Sequence, residues 1–327
     1  MKKHVVLLFI LFFSAIPFFV KAMTISPPRV EYNVKPGDVI EDSFVAINES
    51  DSDNTFIISF DNVTAGEDEE GTPNFTGDLD APTGLVQWLT VNKDPMVLKA
   101  RGQYNFPFTI KVPTDAQPGG HYGVICIGEA KGRENGVIMP AVIGDVCALI
   151  MMNVEGDVIV DGKIAEFSTD KEFYSSLPVN FLTRFKNNGT IYLKPVGQII
   201  IKNIFGMTVA KIDFNKDQFG GYNVLPQAIR RIPTIWQKTE VPNDASEFTK
   251  EYKNFGMGLY TAELNINYGM QEKQSISSIV KFWVFPWQII LVVLAVIMIL
   301  SFAFRQYTKS VVRRMLKSEE LLKNKEQ

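Results

Sequence analysis

Two short stretches, SFVAINESD at residues 43–51 and NFLTRFKNNGT at residues 180–190, decide the fold of this chain. In each, an apolar run of strand length is followed at once by a polar turn of Asn, Ser, Asp or Gly residues. The sequence around them continues as short alternating runs, with turn residues about every ten positions. This pattern is typical of antiparallel β-sandwiches, and its repetition predicts two of them in tandem.

A second recurrence supports the duplication. GGHYGVICIG at residues 119–128 and GMGLYTAELNIN at residues 256–267 each place a tyrosine between a Gly-rich turn and a late strand. Tyr122 and Tyr260 are therefore candidate tyrosine corners, whose hydroxyls bond to nearby backbone in immunoglobulin-like domains. Ordinary half-buried strand tyrosines are the alternative. Trp88 and Trp236 are predicted to pack in the cores or between the domains.

The domain boundary is predicted near residue 154, where the rhythm of strands restarts. The predicted fold class is all-β, with two immunoglobulin-like sandwiches at residues 23–153 and 154–281. A single strand is predicted over residues 25–34, and the last predicted strand of the second domain covers residues 260–268. No segment of ten residues before residue 282 shows convincing helical periodicity.

The apolar run FWVFPWQIILVVLAVIMILSFAF, residues 282–304, carries no charge and is long enough to cross a bilayer as one helix. Trp283 and Trp287 lie where aromatic side chains anchor at a membrane interface, and the tail at residues 305–327 is rich in Lys and Arg. The positive-inside rule therefore predicts a single-pass protein of the cell membrane, with its N-terminus outside and its C-terminus in the cytoplasm.

The N-terminal segment fits this orientation. Lys2 and Lys3 precede an apolar stretch at residues 5–20, and Ala22 ends a small-residue cleavage site. These features predict a signal peptide at residues 1–22, and an uncleaved N-terminal anchor is the alternative. In both cases residues 23–281 lie outside the cytoplasm.

The charge balance argues against nucleic acid as a partner. The net charge of the 327 residues is −3, and the first half of the exported region is strongly acidic. DNA or RNA binding requires a basic face that neutralises phosphates.

The two cysteines, Cys126 and Cys147, both lie in the exported region, where disulfides can persist. A hairpin turn at residues 134–136 would place residues whose numbers sum to about 271 opposite one another. The cysteine numbers sum to 273, a difference that a β-bulge could absorb. A disulfide is one interpretation, and two buried free thiols are the other.

A long acidic loop at residues 64–84 is predicted to be a surface excursion that is too polar and too rich in Gly and Pro to join a sheet. Its carboxylates could ligate calcium, but their order does not follow a calcium-loop pattern, and a solvated charged loop is the alternative. The candidate ligands are Glu67, Asp68, Glu69, Glu70, Asp78 and Asp80.

Catalytic motifs are absent from the sequence. After residue 22 the chain has a single histidine, His121, and it has no GxSxG, HExxH, CxxC or phosphate-binding glycine loop. His121 is predicted to be a structural residue at a strand edge. We predict no catalytic residue, cofactor or metal, although a hydrolase that uses two carboxylates stays an alternative.

Four segments resemble the WxL-interacting proteins of bacterial cell surfaces. The first half contributes SPPRVEYNVKPGDVIEDSFVAINESD (26–51) and VPTDAQPGGHYGVICIG (112–128). The second half contributes FKNNGTIYLKPVGQIIIKNIFGMTVAKIDFN (185–215) and NVLPQAIRRIPTIW (223–236). The resemblance covers nearly all of the region between the apolar ends, while the acidic loop and the two cysteines depart from it.

This resemblance implies an immunoglobulin-like fold in each domain and no catalytic residues. It also implies that the first domain associates with peptidoglycan and the second with protein partners. The predicted function is therefore adhesion or scaffolding at the cell surface, through the cell wall or another surface protein. An accessory subunit of a membrane complex is the alternative.

One candidate contact tip lies in the second domain, where Phe205 and Met207 occupy a predicted hairpin turn. Such apolar side chains are unusual on a free surface unless they bind a partner. Packing against the sister domain or a membrane-proximal loop is the alternative.

Overall fold

A computed structural model describes residues 23–78, 84–130, 145–216, 220–242, 244–269 and 274–323. The predicted signal peptide, the 134–136 turn and Asp80 lie outside these residues. The described chain forms eighteen strands, a short 3₁₀ turn at Val86–Trp88 and two α-helices.

The chain divides into two compact units that are not continuous in sequence. The first unit comprises the residues up to Gly162 together with Lys186–Leu193 and Asn223–Arg230. The second unit comprises Lys163–Phe185, Lys194–Tyr222 and the residues from Arg231 onward. Two short segments of the second half of the sequence therefore belong to the first unit.

The first unit is a β-sandwich. One sheet has the order β1-β3-β8-β6, and the other has the order β2-β10-β9-β4-β5, with β7 also paired to β4. Apolar side chains from both sheets, including Phe44, Ile125 and Ile150, form one core. The strands are β1 (Met23–Ser26), β2 (Arg29–Val34), β3 (Val39–Asn48), β4 (Asn54–Ala65), β5 (Pro73–Phe75), β6 (Leu89–Val91), β7 (Met96–Leu98), β8 (Gln103–Lys111), β9 (Gly119–Glu129) and β10 (Val146–Val154).

The second unit is also a β-sandwich, with sheets of order β11-β13-β16 and β12-β18-β17-β14-β15. Aromatic rings from both sheets meet in its core. Phe282 lies 5.7 Å from Phe181 and 6.0 Å from Trp236, measured between ring centroids. The strands are β11 (Gly162–Thr169), β12 (Phe173–Tyr174), β13 (Val179–Asn187), β14 (Val196–Asn203), β15 (Thr208–Phe214), β16 (Ile229–Trp236), β17 (Gly258–Tyr268) and β18 (Gln274–Val284).

The predicted strand over residues 25–34 is wrong as a single element. Pro27 and Pro28 interrupt it, because proline lacks the N–H that a ladder requires. As a result β1 pairs with β3 in one sheet, whereas β2 pairs with β10 in the other.

The predicted membrane helix begins too early. Phe282 and Val284 are buried residues of β18, and the helix begins at Trp287, directly after Pro286. This last strand is absent from the sequence prediction because its apolar end runs without a break into the membrane segment.

The second unit also has two helices, one between β16 and β17 and the other after β18. A short helix, α1 (Glu247–Lys253), begins at Ser246, whose hydroxyl accepts the N–H of Thr249 at 3.2 Å. The C-terminal helix, α2 (Trp287–Lys323), contains an 18-residue window with a mean hydropathy of 2.7, none of it buried. Among the described residues, α2 is long and apolar enough to cross a membrane. The all-β fold class with two sandwiches and one C-terminal apolar helix is thus confirmed.

Candidate functional site

Segments from three of the four stretches that carry the resemblance converge on one cleft of the first unit. The cleft has a volume of 370 Å³ and is lined by residues 63–65, 117–122, 189–190 and 225–227. We call it the neutral cleft, because none of these lining residues is Asp, Glu, Lys or Arg. Its volume lies within the range of small-ligand sites, which are typically about 300–1,000 Å³.

The floor of the neutral cleft is the start of β9. His121 is buried, its Nε2 lies 2.9 Å from the carbonyl oxygen of Gln117, and its ring lies 4.4 Å from Trp88. Its Nδ1 has no hydrogen-bond partner within the described part of the chain. His121 is therefore a buried residue near the start of β9, a strand that pairs with both β10 and β4, and it makes no nucleophile–base pair among the described residues.

Tyr122 lies beside His121 on this floor, and its hydroxyl sits over Gly120, where a Cβ would overlap it. The rings of Tyr122 and Tyr192 are 6.3 Å apart, and burial raises the pKa of both hydroxyls. The Tyr122 hydroxyl faces Tyr192 but has no partner at hydrogen-bond geometry among the described residues.

The two tyrosine-corner candidates therefore differ. The hydroxyl of Tyr260 accepts the N–H of Met257 at 3.2 Å, the kind of local bond that a tyrosine corner makes. Tyr122 lacks that bond, because its side chain is directed over Gly120 and toward Tyr192. The corner interpretation thus does not describe Tyr122.

The wall of the neutral cleft is built from two turns. The carbonyl of Thr190 accepts the N–H of Gly120 at 2.9 Å. The exposed Gln227, at φ 61°, donates from Nε2 to the carbonyls of Asn188 and Gly189 at 2.9 and 3.1 Å. Gln227 and Thr190 were not predicted from the sequence, since neither residue type marks a site and the two are far apart in sequence.

A smaller cavity of 160 Å³ lies on the same unit, lined by apolar side chains such as Leu149 and Met151. The acidic loop borders it through Gly71, which lies against the guanidinium of Arg230. The loop was predicted to lie wholly outside the sheets. This is wrong, because Pro73–Phe75 forms β5 and pairs with the end of β4. Proline is tolerated there because it occupies the first position of an edge strand.

The calcium candidates that the structure describes are not gathered into a site. Asp68 accepts the N–H of Glu70 at 3.1 Å, and a hydrogen bond from the Thr72 side chain lowers the pKa of the Asp68 carboxyl. The N–H of Asp78 donates to Thr76 Oγ1 at 3.2 Å, and the carbonyl of Asp78 accepts from Asn62 Nδ2 at 2.8 Å. In the residues that the structure describes, no three His, Cys, Asp or Glu side chains form a group able to hold a metal ion.

Cys126 and Cys147 form a disulfide between β9 and β10, with Cα atoms 4.0 Å apart. They are direct partners in the antiparallel ladder, in which all paired residue numbers sum to 273. The structure therefore pairs the two cysteines directly, in a register two residues away from the sum of about 271 that a turn at residues 134–136 would give.

The contact tip is exposed. Phe205 is 81% exposed and Met207 is 58% exposed, in the turn between β14 and β15. Glycine at position 206, with φ 76°, permits this tight turn.

No protein-family model and no curated protein matches the chain. Solved structures of bacterial chaperones are similar to it at low identity. The class 5 fimbriae chaperone CfaA is 12% identical with a TM-score of 0.36, over 79% of this chain and 98% of that one. The E. coli chaperone DraB is 11% identical with a TM-score of 0.31, over 80% and 97%. The Pseudomonas aeruginosa chaperone CupB2 is 9% identical with a TM-score of 0.33, over 78% and 98%. Because these TM-scores lie below 0.5, they carry no functional argument.

Proposed function

We propose that this chain is a membrane-anchored, non-catalytic binding protein that displays two β-sandwiches outside the cell and engages peptidoglycan through the neutral cleft. The main observation that supports membrane anchoring is α2, whose unburied apolar stretch follows β18 after only Phe285 and Pro286. A helix of this length and hydropathy is stable across a bilayer, and its basic C-terminal tail favours the cytoplasmic side.

The composition of the neutral cleft supports a polar, uncharged ligand. Exposed Thr64, Gln117, Thr190 and Gln227 stand at its rim, while backbone groups and His121 form its floor. Side chains of this kind recognise hydroxyl and amide groups, which the sugars and peptides of peptidoglycan provide. The resemblance to WxL-interacting proteins points to the same ligand.

Another surface protein is the second candidate partner. Strand β15 is the edge of its sheet, and most of its side chains are exposed or half-buried. An edge strand can add a strand from a partner, with main-chain hydrogen bonds supplying affinity. This mode requires no change in the neutral cleft, so the two candidates are separable.

The test is co-sedimentation of the full-length protein, in detergent micelles, with purified peptidoglycan. Gln117→Ala removes a rim side chain of the neutral cleft. Gln103→Ala is the matched control, because Gln103 is an exposed residue of β8 in the same unit. We expect the native protein and the control to sediment with the polymer, and Gln117→Ala to sediment less.

Failure of the folded native protein to sediment would overturn peptidoglycan binding. Equal sedimentation of both variants would remove the neutral cleft from the proposal. The second candidate, a surface protein that binds at the β15 edge, makes a different prediction. Such a protein would still bind Gln117→Ala but would lose binding when β15 carries a proline.

A further inference from the structure

Most of the exposed apolar side chains that the second unit carries ahead of α2 lie at one end of its five-stranded sheet. The register defines that end. Asn203, the last residue of β14, pairs with Tyr260, and Tyr260 pairs with Phe282 near the end of β18. The turn at residues 204–207 therefore lies level with the segment that leads from β18 into α2.

The junction between β18 and α2 leaves no flexible linker. The N–H of Phe285 donates to the Tyr174 carbonyl at 2.7 Å, so sheet bonding reaches the residue before Pro286. The N–H of Ile290 then donates to the Pro286 carbonyl at 3.1 Å, within the first turn of α2. The end of the sheet is thus held directly at the start of the apolar helix.

Helix α1 is tied to the same point. Glu251 is buried, and its Oε2 accepts the N–H groups of Gln288 and Ile289 at 3.1 and 3.2 Å. These are N–H groups of the first turn of α2, which have no partner within the helix. A carboxylate is favoured there by the helix dipole.

Helix α1 is also apolar on its outer surface. Tyr252 is 72% exposed and Phe248 is also exposed, and Phe255, which follows the helix after Asn254, is exposed as well. Lys250 and Lys253 occupy its last turn, and Lys250 pairs with Glu247 at 2.8 Å. Exposed aromatic rings beside lysines are typical of segments that lie in a membrane interface.

The tip at residues 204–207 adds Ile204, Phe205 and Met207 to this end of the unit, all of them exposed. Two strand spacings of about 4.8 Å separate β14 from β18, so the turn lies roughly 10 Å to the side of the junction. Trp283, Phe285 and Trp287 are exposed at the junction itself.

We propose that this apolar end, formed by the 204–207 turn, the outer surface of α1 and the junction at residues 283–287, lies in the headgroup layer of the bilayer that α2 crosses. The inference rests on the proposed membrane anchoring by α2. We assign lipid as the partner of this surface because the surface is continuous with α2. Residues held level with the start of a membrane span meet the interfacial layer of the bilayer. Contact with lipid along this surface would fix how the second unit stands on the membrane.

The test uses the full-length protein reconstituted into phosphatidylcholine and phosphatidylglycerol vesicles, with tryptophan fluorescence quenched by brominated lipids. In a Trp283→Phe, Trp287→Phe background, Phe205→Trp and Tyr252→Trp report on the apolar end. Tyr222→Trp is the matched control, because Tyr222 is exposed near the opposite end of the same sheet. Leu294→Trp reports on the middle of the apolar stretch of α2.

We expect bromines placed near the headgroup to quench Phe205→Trp and Tyr252→Trp and to leave Tyr222→Trp unquenched. Bromines placed deep in the chains should quench Leu294→Trp. Quenching of Leu294→Trp alone would overturn this inference and leave the anchoring intact. Absence of quenching at Leu294→Trp, with the fold verified by thermal unfolding, would overturn the anchoring and the inference together.

Discussion

At the scale of single residues, two buried asparagines perform the same task in the two halves of the sequence. Asn48 ends β3, and its Oδ1 accepts the N–H of Ser50 at 3.1 Å. Asn187 ends β13, and its Oδ1 accepts the N–H of Gly189 at 2.8 Å. Each carboxamide satisfies turn backbone that would otherwise be buried without a partner.

Replacing Asn187 with alanine should therefore lower the free energy of unfolding. Its Nδ2 also donates to the carbonyls of Ile191 and Val224, at 2.8 and 2.9 Å, so the substitution leaves several buried backbone groups unsatisfied. The expected loss is about 2–3 kcal/mol. Denaturant unfolding of the full-length protein in detergent micelles measures it.

The neighbouring Asn188→Ala is the control for this prediction. Asn188 is only half-buried, and its side chain makes a bond of 3.1 Å to Asp161 on the exposed surface. A loss below about 1 kcal/mol is expected for it. Equal losses for the two variants would show that the buried carboxamide has no special role.

At the scale of elements, the strand pair β9–β10 joins the core of the first unit to the floor of the neutral cleft. The pair next to the Val146–Ile127 end of its ladder is the Cys126–Cys147 disulfide, which closes a loop with a sequence separation of 21 residues. Such a cross-link restricts the unfolded chain, and the polymer estimate of its contribution is about 3 kcal/mol.

Replacing both cysteines with alanine should lower the unfolding free energy by about 3 kcal/mol. Thermal unfolding with and without reductant measures this effect in the native protein. The double variant should show no response to reductant. Alkylation of both thiols in protein that was unfolded without reductant would show that the cysteines are free.

Much of this element order could be predicted from alternation and turn residues. The strand predicted over residues 260–268 coincides with β17 (Gly258–Tyr268) apart from the first two residues of β17. Alternation within one strand cannot show which sheet receives it, so the change of sheet between β1 and β2 was missed. Strand β18 was hidden because a buried strand end and a membrane helix are both continuously apolar.

The candidate site was predicted less completely than the fold. The sequence singled out His121 and the Gly-rich turn before it, but not Gln227 or Thr190, which complete the cleft. These residues come together only through the pairing of distant segments, and sequence periodicity carries no signal for that. Helix α1 was missed because its seven residues are too few for a periodic pattern, although Ser246 is a recognisable N-cap.

At the level of the complete chain, the proposed binding of peptidoglycan depends on which side of the membrane holds the two β-rich units. The apolar stretch of α2 is long enough to span the bilayer once. The arginines and lysines after it favour a cytoplasmic tail by the positive-inside rule. Peptidoglycan binding requires the neutral cleft to face the outside, and the apolar end then lies in the outer leaflet of the membrane.

The most direct measurement of this claim is protease digestion of intact protoplasts that carry the full-length protein with a C-terminal epitope tag. We predict that the added protease degrades both β-sandwiches and leaves a tagged fragment, containing α2 and the basic tail, protected until the membrane is dissolved. Loss of the tag from intact protoplasts, with the β-sandwiches preserved, would reverse the orientation and contradict the account.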